Sequence, residues 1–356
     1  MKIMKNKLLV FLILLVLVFS SQMYPITETF SFEDVLTVPI VVENKIELLG
    51  IITILEADDY FACELLNTIF KRDAVAWFRP YRNHSAIKSY RHLLDLGFSD
   101  NHLRAYLMEL GNLPELTIPD TLSSTFRTEP FRLWHQHLLQ FLDESSFSSF
   151  WSREREYYNQ AVEQFAPSSN LLDSIRKEMQ FLGFTNLPFR WVLSPLIFGN
   201  QAILVNQEAE SQGMIILGLS DIQNGRLVFG KEKTQLTLIQ QDLLQLLVNK
   251  VTIPFQEDIS KSESLLDPIK ELMKNEGINT WQECFNQHLF WSIRLINFEE
   301  NPSEKIIELQ KLGYIYVDDT YQLLQQYEQY RSYFPTVTTF LPRVIQQFNS
   351  MARRKQ

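Results

Sequence analysis

The chain has 356 residues, 46% hydrophobic and 13% aromatic with 26 Phe, which is enough to bury a sizeable core. A formal charge of −9 without any basic stripe argues against a nucleic-acid partner, and two cysteines do not make a disulfide scaffold. Eleven Gly leave few tight turns, which favours helices over a β sandwich.

The chain opens MKIMKNKLLVFLILLVLVFSSQMYP. Lys2, Lys5 and Lys7 form a basic head, Leu8 to Phe19 is an apolar run of twelve residues, and Ser20 and Ser21 are small residues beyond it. At about 1.5 Å per residue the run covers roughly 18 Å, short of the ~30 Å hydrocarbon core of a membrane. That is the build of a secretory signal peptide over 1–22, with cleavage expected near Ser20 to Gln22. The expectation is a secreted, periplasmic or envelope protein with no stable membrane span after cleavage. An uncleaved anchor is the other reading, because Val18 and Ser20 make only a fair cleavage site. No Cys follows the run, which argues against bacterial-type lipidation there.

Residues 23–186 read as a helical region. VPIVV, Val38 to Val42, suits a short strand. Glu47 to Arg72 has a helical pattern with Leu48, Ile52, Leu55, Phe61, Leu65 and Ile69 on its apolar face. AWFRPYRNH is a break around Pro80. Ser85 to Gly97 predicts a helix with a Ser cap and a Gly end, and Asp100 to Gly111 repeats that design. Leu113 to Thr128, with two Pro and many Ser and Thr, predicts a loop. Pro130 to Phe165 predicts two helices, and Asn170 to Gly183 another.

The character changes at 187–350. FRWVLSPLIFGNQAILVN, MIILGLSD and RLVFG are short β-rich runs separated by Gly, Asn and Pro, the pattern of a small sheet or hairpins. Helices resume at Thr237 to Lys250, Glu263 to Asn275, Trp281 to Phe298, Ser303 to Leu312, Thr320 to Tyr330 and Thr338 to Ser350. The predicted fold class is α+β, predominantly α-helical, with a small central β-sheet. Residues 351–356, with Arg353, Arg354 and Lys355, read as a solvated basic tail.

The usual catalytic motifs are missing: the sequence has no HExxH, GxSxG, P-loop, GxGxxG or CxxC. Of the six histidines, His135 and His137 stand two apart, so on a helix they point about 200° away from each other and cannot share a metal. His84, His92, His102 and His288 have the ordinary reading of surface or satisfied side chains. Cys63 and Cys284 are free by sequence either to pair or to stay apart. The unusual stretch is TLIQQDLLQLLVNK, Thr237 to Lys250. It is apolar on more than one face yet carries Gln241, Asp242, Gln245 and Asn249 at spacings of three and four, along one side.

The order of segments from Leu48 to Asn349 resembles the family called domain of unknown function 4932, exported proteins with a zincin-like HExxH helix. The landmarks are FRPYRNHSAIK (Phe78 to Lys88), FRWVLSPLIFGN (Phe189 to Asn200), GMIILGL (Gly213 to Leu219), TLIQQDLLQLLVN, WQECFNQHLFWSIR (Trp281 to Arg294) and SYFPTVTTFLPRVIQQFN (Ser332 to Asn349). The resemblance implies a zincin-like region over 187–350. The family's helix reads roughly TLIxHExxHxFVN, and a later helix carries WxxxxNE. In register, its first His falls on Gln241, its Glu on Asp242, its second His on Gln245 and its later Glu, the third ligand, on Gln287.

Every residue that should bind or work with zinc is thus replaced. In HExxH two imidazoles reach one ion while the Glu takes a proton from the bound water. A Gln amide oxygen is a weak donor that zinc does not select over imidazole, and Asp242 is one methylene shorter than Glu. The resemblance therefore implies a degenerate metal motif, with no metal, no cofactor and no catalytic residues of the family's kind. The leading expectation is a secreted pseudoenzyme that binds a peptide or glycan in the old cleft, beside Gln241, Asp242, Gln245 and Gln287, with Trp281 and Trp291 for stacking. Two other classes stay open: a hydrolase using other residues, such as Asp242 with His288, and a plain structural protein of the envelope. A further reading drops the register altogether and leaves the polar stripe as ordinary helix residues.

Overall fold

The computed structural model describes residues 39–57, 68–165, 169–184, 188–197, 199–207, 210–230 and 233–355. The expected signal peptide and Cys63 lie outside them.

Five strands make one mixed sheet: β1 (Ile40–Val42), β2 (Phe189–Ser194), β3 (Asn200–Gln207), β4 (Glu210–Gln223) and β5 (Arg226–Phe229). Their order is β1-β2-β4-β3, and β5 pairs with the second half of β4. The β1–β2 and β2–β4 pairs are parallel, and β3 and β5 run antiparallel to β4. Trp191, Val192 and Leu193 of β2 and Met214 to Leu217 of β4 are all buried, because a central parallel pair is covered on both faces and needs no polar alternation. The β4–β5 turn is Asn224-Gly225, both at positive φ, the conformation a tight hairpin requires. A Cβ on Gly218 would lie 2.5 Å from the Gly199 carbonyl oxygen, so the chain between β2 and β3 can cross there only over glycine.

The first half contributes α1 (Asn44–Glu56), α2 (Ile69–Phe78), α3 (Ser85–Asp95), α4 (Asp100–Glu109), α5 (Glu129–Glu144), α6 (Phe147–Arg153), α7 (Arg155–Gln164) and α8 (Ser169–Leu182). Three details differ from the sequence pattern. Glu47 to Arg72 is not one helix: the backbone is extended at Ala57, and α2 starts anew at Thr68, whose hydroxyl accepts the Lys71 N–H at 2.9 Å. The cap of α3 is His84 rather than Ser85, its Nδ1 accepting the Ala86 N–H at 3.0 Å. Pro130 to Phe165 forms three helices instead of two, since Ser146 takes a left-handed conformation (φ 53) and Glu154 separates α6 from α7.

The second half holds α9 (Lys233–Thr252), α10 (Gln256–Ser260), α11 (Lys270–Asn275), α12 (Trp281–Phe298), α13 (Pro302–Lys311), α14 (Val317–Gln329) and α15 (Val337–Lys355). The helix expected over Glu263 to Asn275 is interrupted at Pro268, leaving two 3₁₀ turns before α11. Helix α15 continues through the basic cluster, with Ala352 buried.

An aromatic core fills the helical region, where Phe78 meets Phe150 edge-on at 4.9 Å and Tyr106 meets Phe131 at 4.8 Å. A second cluster joins Ile46 of α1 and Met108 of α4 to Val192, Ile203, Val205, Met214 and Ile216 of the sheet. Regions 23–186 and 187–350 therefore share the sheet, β1 coming from the first and the other strands from the second. Leu243 and Leu247 of α9 are fully buried, so replacing either by Ala should cost about 2–5 kcal/mol in chemical denaturation through lost transfer energy and a cavity. A loss under ~1 kcal/mol for both would place α9 on the surface.

Helix α1 also carries buried charge. Lys45 Nζ donates to the Leu110 carbonyl at 2.7 Å, and burial lowers its pKa to about 8. Glu47 is fully buried and accepts the Ser194 hydroxyl; burial raises its pKa to about 8. A carboxyl raised on folding favours the native state in its neutral form. Its contribution is full below the unfolded value of 4.5 and is lost as pH rises through 8, at up to about 1.4 kcal/mol per pH unit. Glu47→Gln mimics the neutral acid, so its melting temperature should fall less steeply over this window than that of the natural chain. An equally steep fall would show that Glu47 is ionised in the fold.

Candidate functional site

Helices α9 and α12 meet along a polar seam. On α9, Ile239, Leu243, Leu244, Leu247 and Val248 are fully buried, which fixes the rotation of the helix and leaves Gln241, Asp242 and Gln245 half-buried. The helix ends where Thr252 returns its hydroxyl to the Val248 carbonyl at 3.1 Å, just before Pro254. Helix α12 starts at a capping box formed by Thr280 and Glu283. Thr280 Oγ1 accepts the Glu283 N–H, and Glu283 Oε2 accepts the Thr280 N–H at 2.9 Å.

The two helices run antiparallel. Gln241 shares a cleft with Trp291 and Arg294, Gln245 meets Gln287, and Asn249 meets Asn286. Five amides are joined in one chain of hydrogen bonds. Gln287 Nε2 donates to Gln245 Oε1 at 2.9 Å, and Gln245 Nε2 donates to Asn249 Oδ1 at 3.0 Å. Asn286 Nδ2 donates to the same Asn249 oxygen at 2.9 Å, and Gln282 Nε2 donates to Asn286 Oδ1 at 3.0 Å. Of the four positions that the family resemblance singles out, Gln245 and Gln287 are thus brought into contact.

The other two face elsewhere. The Asp242 carboxylate accepts the Ala202 backbone N–H of β3, and burial raises its pKa while that hydrogen bond opposes the shift. Gln241 borders an open cleft of about 270 Å³ with Trp291, Arg294, Leu295, Phe298, Glu299 and Lys305. Directly before it, Gln240 Nε2 donates to Glu178 Oε1 of α8 at 3.2 Å. Glu178 is fully buried, and burial raises its pKa to about 8 against the pull of Arg294 and the Gln240 hydrogen bond.

Two expected participants take other roles. Trp281 is buried in the core rather than available for stacking, its Nε1 donating to the Ile259 carbonyl and to Ser262 Oγ, each at 3.0 Å. His288 is sealed between the rings of Tyr314 and Tyr316, at 5.6 and 5.5 Å, and its Nδ1–H donates to the Cys284 carbonyl at 2.7 Å. Burial lowers its pKa to about 4, and Asp242 has different neighbours on β3. Cys284 is a free, buried thiol whose pKa burial raises to about 12. Elsewhere His84 caps α3, His135 meets the Tyr106 hydroxyl at 3.2 Å and His137 meets Ser89 at 2.6 Å. Among the described residues, no three His, Cys, Asp or Glu side chains converge in a way that could hold a metal ion.

Arg294 and Glu178 escaped the sequence reading. Arg294 was within reach, since Gln287, Trp291 and Arg294 stand at i, i+4 and i+7 on one face of α12. Glu178 sits far away in sequence on α8, and nothing in its own spacing marks it.

The geometry defines a class: an α+β protein with two antiparallel helices clasped by amides beside the edge of a small mixed sheet. The family model described as Domain of unknown function (DUF4932) matches residues 124–347, and the chain belongs to that family. The match takes in every strand but β1, and all of α9 and α12. No curated protein and no solved structure matches the chain. Among the described residues, no helix is long and apolar enough to cross a membrane.

The amide seam makes a prediction of its own. A double-mutant cycle on Gln245→Ala and Gln287→Ala should give a coupling energy of about 0.5–1.5 kcal/mol, the net worth of one hydrogen bond between partly buried neutral groups. Strictly additive losses would mean that the two amides turn to solvent.

Proposed function

We propose that the chain is an exported, zincin-like binding protein in which amides have taken over the positions of a metal site, and that it holds a peptide or glycan in the cleft beside α9. The observation that carries this reading is the 2.9 Å contact between Gln287 and Gln245. These are the positions that the family resemblance equates with the third ligand and the second His, and ligands of one ion must lie close together. Gln241, one turn before Gln245, opens on the adjoining cleft.

The residues present do not fit zinc. Neutral amide oxygens are poor donors for it. Two of the amides also spend their polar groups on each other and on Asn249, and Asp242 is engaged with β3. Binding without hydrolysis is the chemistry left to such a set. The basic head at Lys2, Lys5 and Lys7 and the apolar run from Leu8 to Phe19 support export. A structural role is the second reading, favoured by the completeness of the amide seam and by Asp242 covering a strand edge.

Reversion tests the proposal. The combined changes Gln241→His, Asp242→Glu, Gln245→His and Gln287→Glu should create a zinc site, so that zinc raises the melting temperature. Free metal at a hundred times its Kd corresponds to about 2.7 kcal/mol of added stability. The natural chain should show no such rise. A folded revertant indifferent to zinc would sink the zincin-like register, and tight zinc binding by the natural chain would overturn the substitution of amides for a metal.

A further inference from the structure

The cleft beside Gln241 has a chemical character of its own. Its wall joins one amide, two cations (Arg294 and Lys305), one carboxylate (Glu299) and the apolar surfaces of Trp291, Leu295 and Phe298. Arg294 dominates it. The guanidinium carbon stands 5.9 Å from the ring centres of both Phe290 and Phe298, which restrict how the group can turn. Its Nη1 is buried, closed to the cleft and without a hydrogen-bond partner among the described residues, so an incoming carboxylate would meet the rest of the guanidinium. Leaving a buried charged donor unmet is costly, and a planar guanidinium is suited to a carboxylate.

The nearby protein carboxyls do not settle that demand. Glu178 acts on Arg294 through space, but no ion pair joins the two within 4.0 Å among the described residues, and one Glu178 oxygen is itself buried without a partner. Near neutral pH the raised pKa of Glu178 keeps much of it protonated, which leaves Glu299 as the carboxylate that acts on Arg294. Glu299 borders the cleft and opposes an anion, whereas Lys305 favours one, although it also reaches Glu308 at 2.7 Å on the surface.

We propose that this cleft binds the C-terminal carboxylate of a peptide, with Arg294 as the anchor, Lys305 as a second cation, and Trp291, Leu295 and Phe298 receiving an apolar last side chain. The size supports a chain end over a long polymer: about 270 Å³ lies just under the range of about 300–1,000 Å³ typical of small-molecule pockets. The apolar wall beside the cations favours a peptide terminus over an acidic sugar, whose ring would bring hydroxyls to Leu295 and Phe298. This proposal rests on the reading of the chain as a binding protein; of the reverted residues only Gln241 lines the cleft, so the peptide is tested on the natural chain and zinc on the revertant. A revertant that binds zinc while the natural chain ignores the peptide would sink this proposal and leave the zincin-like register standing. The reverse outcome would do the opposite.

The probes are an N-acetylated tetrapeptide ending in Phe with a free carboxylate and the same peptide as its C-terminal amide, titrated calorimetrically into the full chain. The acid should bind at least tenfold tighter than the amide. Arg294→Gln should abolish that preference, and Arg294→Lys should keep part of it. Equal affinity for acid and amide, no binding of either, or a preference that survives Arg294→Gln would overturn the proposal. If Arg294→Gln melts far below the natural chain, Lys305→Gln decides, because that side chain is partly exposed and can be changed without touching the core. A preference cut about threefold supports the site, and an unchanged one removes it. A uronic-acid disaccharide that outcompetes the acid peptide would overturn the peptide assignment.

Discussion

The polar seam depends on how α9 is held against the sheet. Among the described residues strand β3 pairs only with β4, so its outer side presents backbone groups that need covering. Helix α9 supplies the cover, and the Ala202 N–H finds its acceptor in Asp242. With Ile239, Leu243, Leu244, Leu247 and Val248 buried, the rotation of α9 is fixed on its apolar side too. Gln245 and Asn249 then have one direction left, toward α12.

Polar groups in a tightly packed region stabilise only as a satisfied set, because each orphaned member costs more than a completed hydrogen bond returns. The five amides of the seam are joined by four hydrogen bonds, and none of them carries a buried atom without a partner. A few ångströms beyond, around Glu178 and Arg294, the condition is not met: both carry a buried atom without a partner. The contrast separates two kinds of polarity in one region. The seam has its amides joined to one another, and beside the cleft lie buried groups still unmet.

Much of this could be read from residues alone, and the failures have physical causes. Helix α12 was legible to the residue, because Thr280 and Glu283 form a capping box and Phe298 precedes a polar, proline-bearing break. The apolar face of α9 was equally plain. The long helix expected from Glu47 to Arg72 failed because hydrophobic spacing does not register a backbone turned extended at Ala57. His84 as a cap went unseen because imidazole nitrogen rarely does the work of a short oxygen side chain. At the site, the sequence reading had the polar stripe of α9 from its spacing and Gln287 only from the family resemblance; Gln245 and Gln287 meet at 2.9 Å. That reading misjudged Trp281, whose indole is committed to Ile259 and Ser262, and missed Glu178, which only the folded chain brings to Gln240.

An amide clasp behaves unlike an ion. Metal ligands must shed protons to bind, so a site built on imidazole and carboxylate weakens in acid and can be stripped by a chelator. Gln245, Gln287, Asn249, Asn286 and Gln282 have no proton to exchange near neutrality and nothing to surrender to a competing ligand. The joint between α9 and α12 is accordingly insensitive to acidity near neutrality and to scarcity of metal.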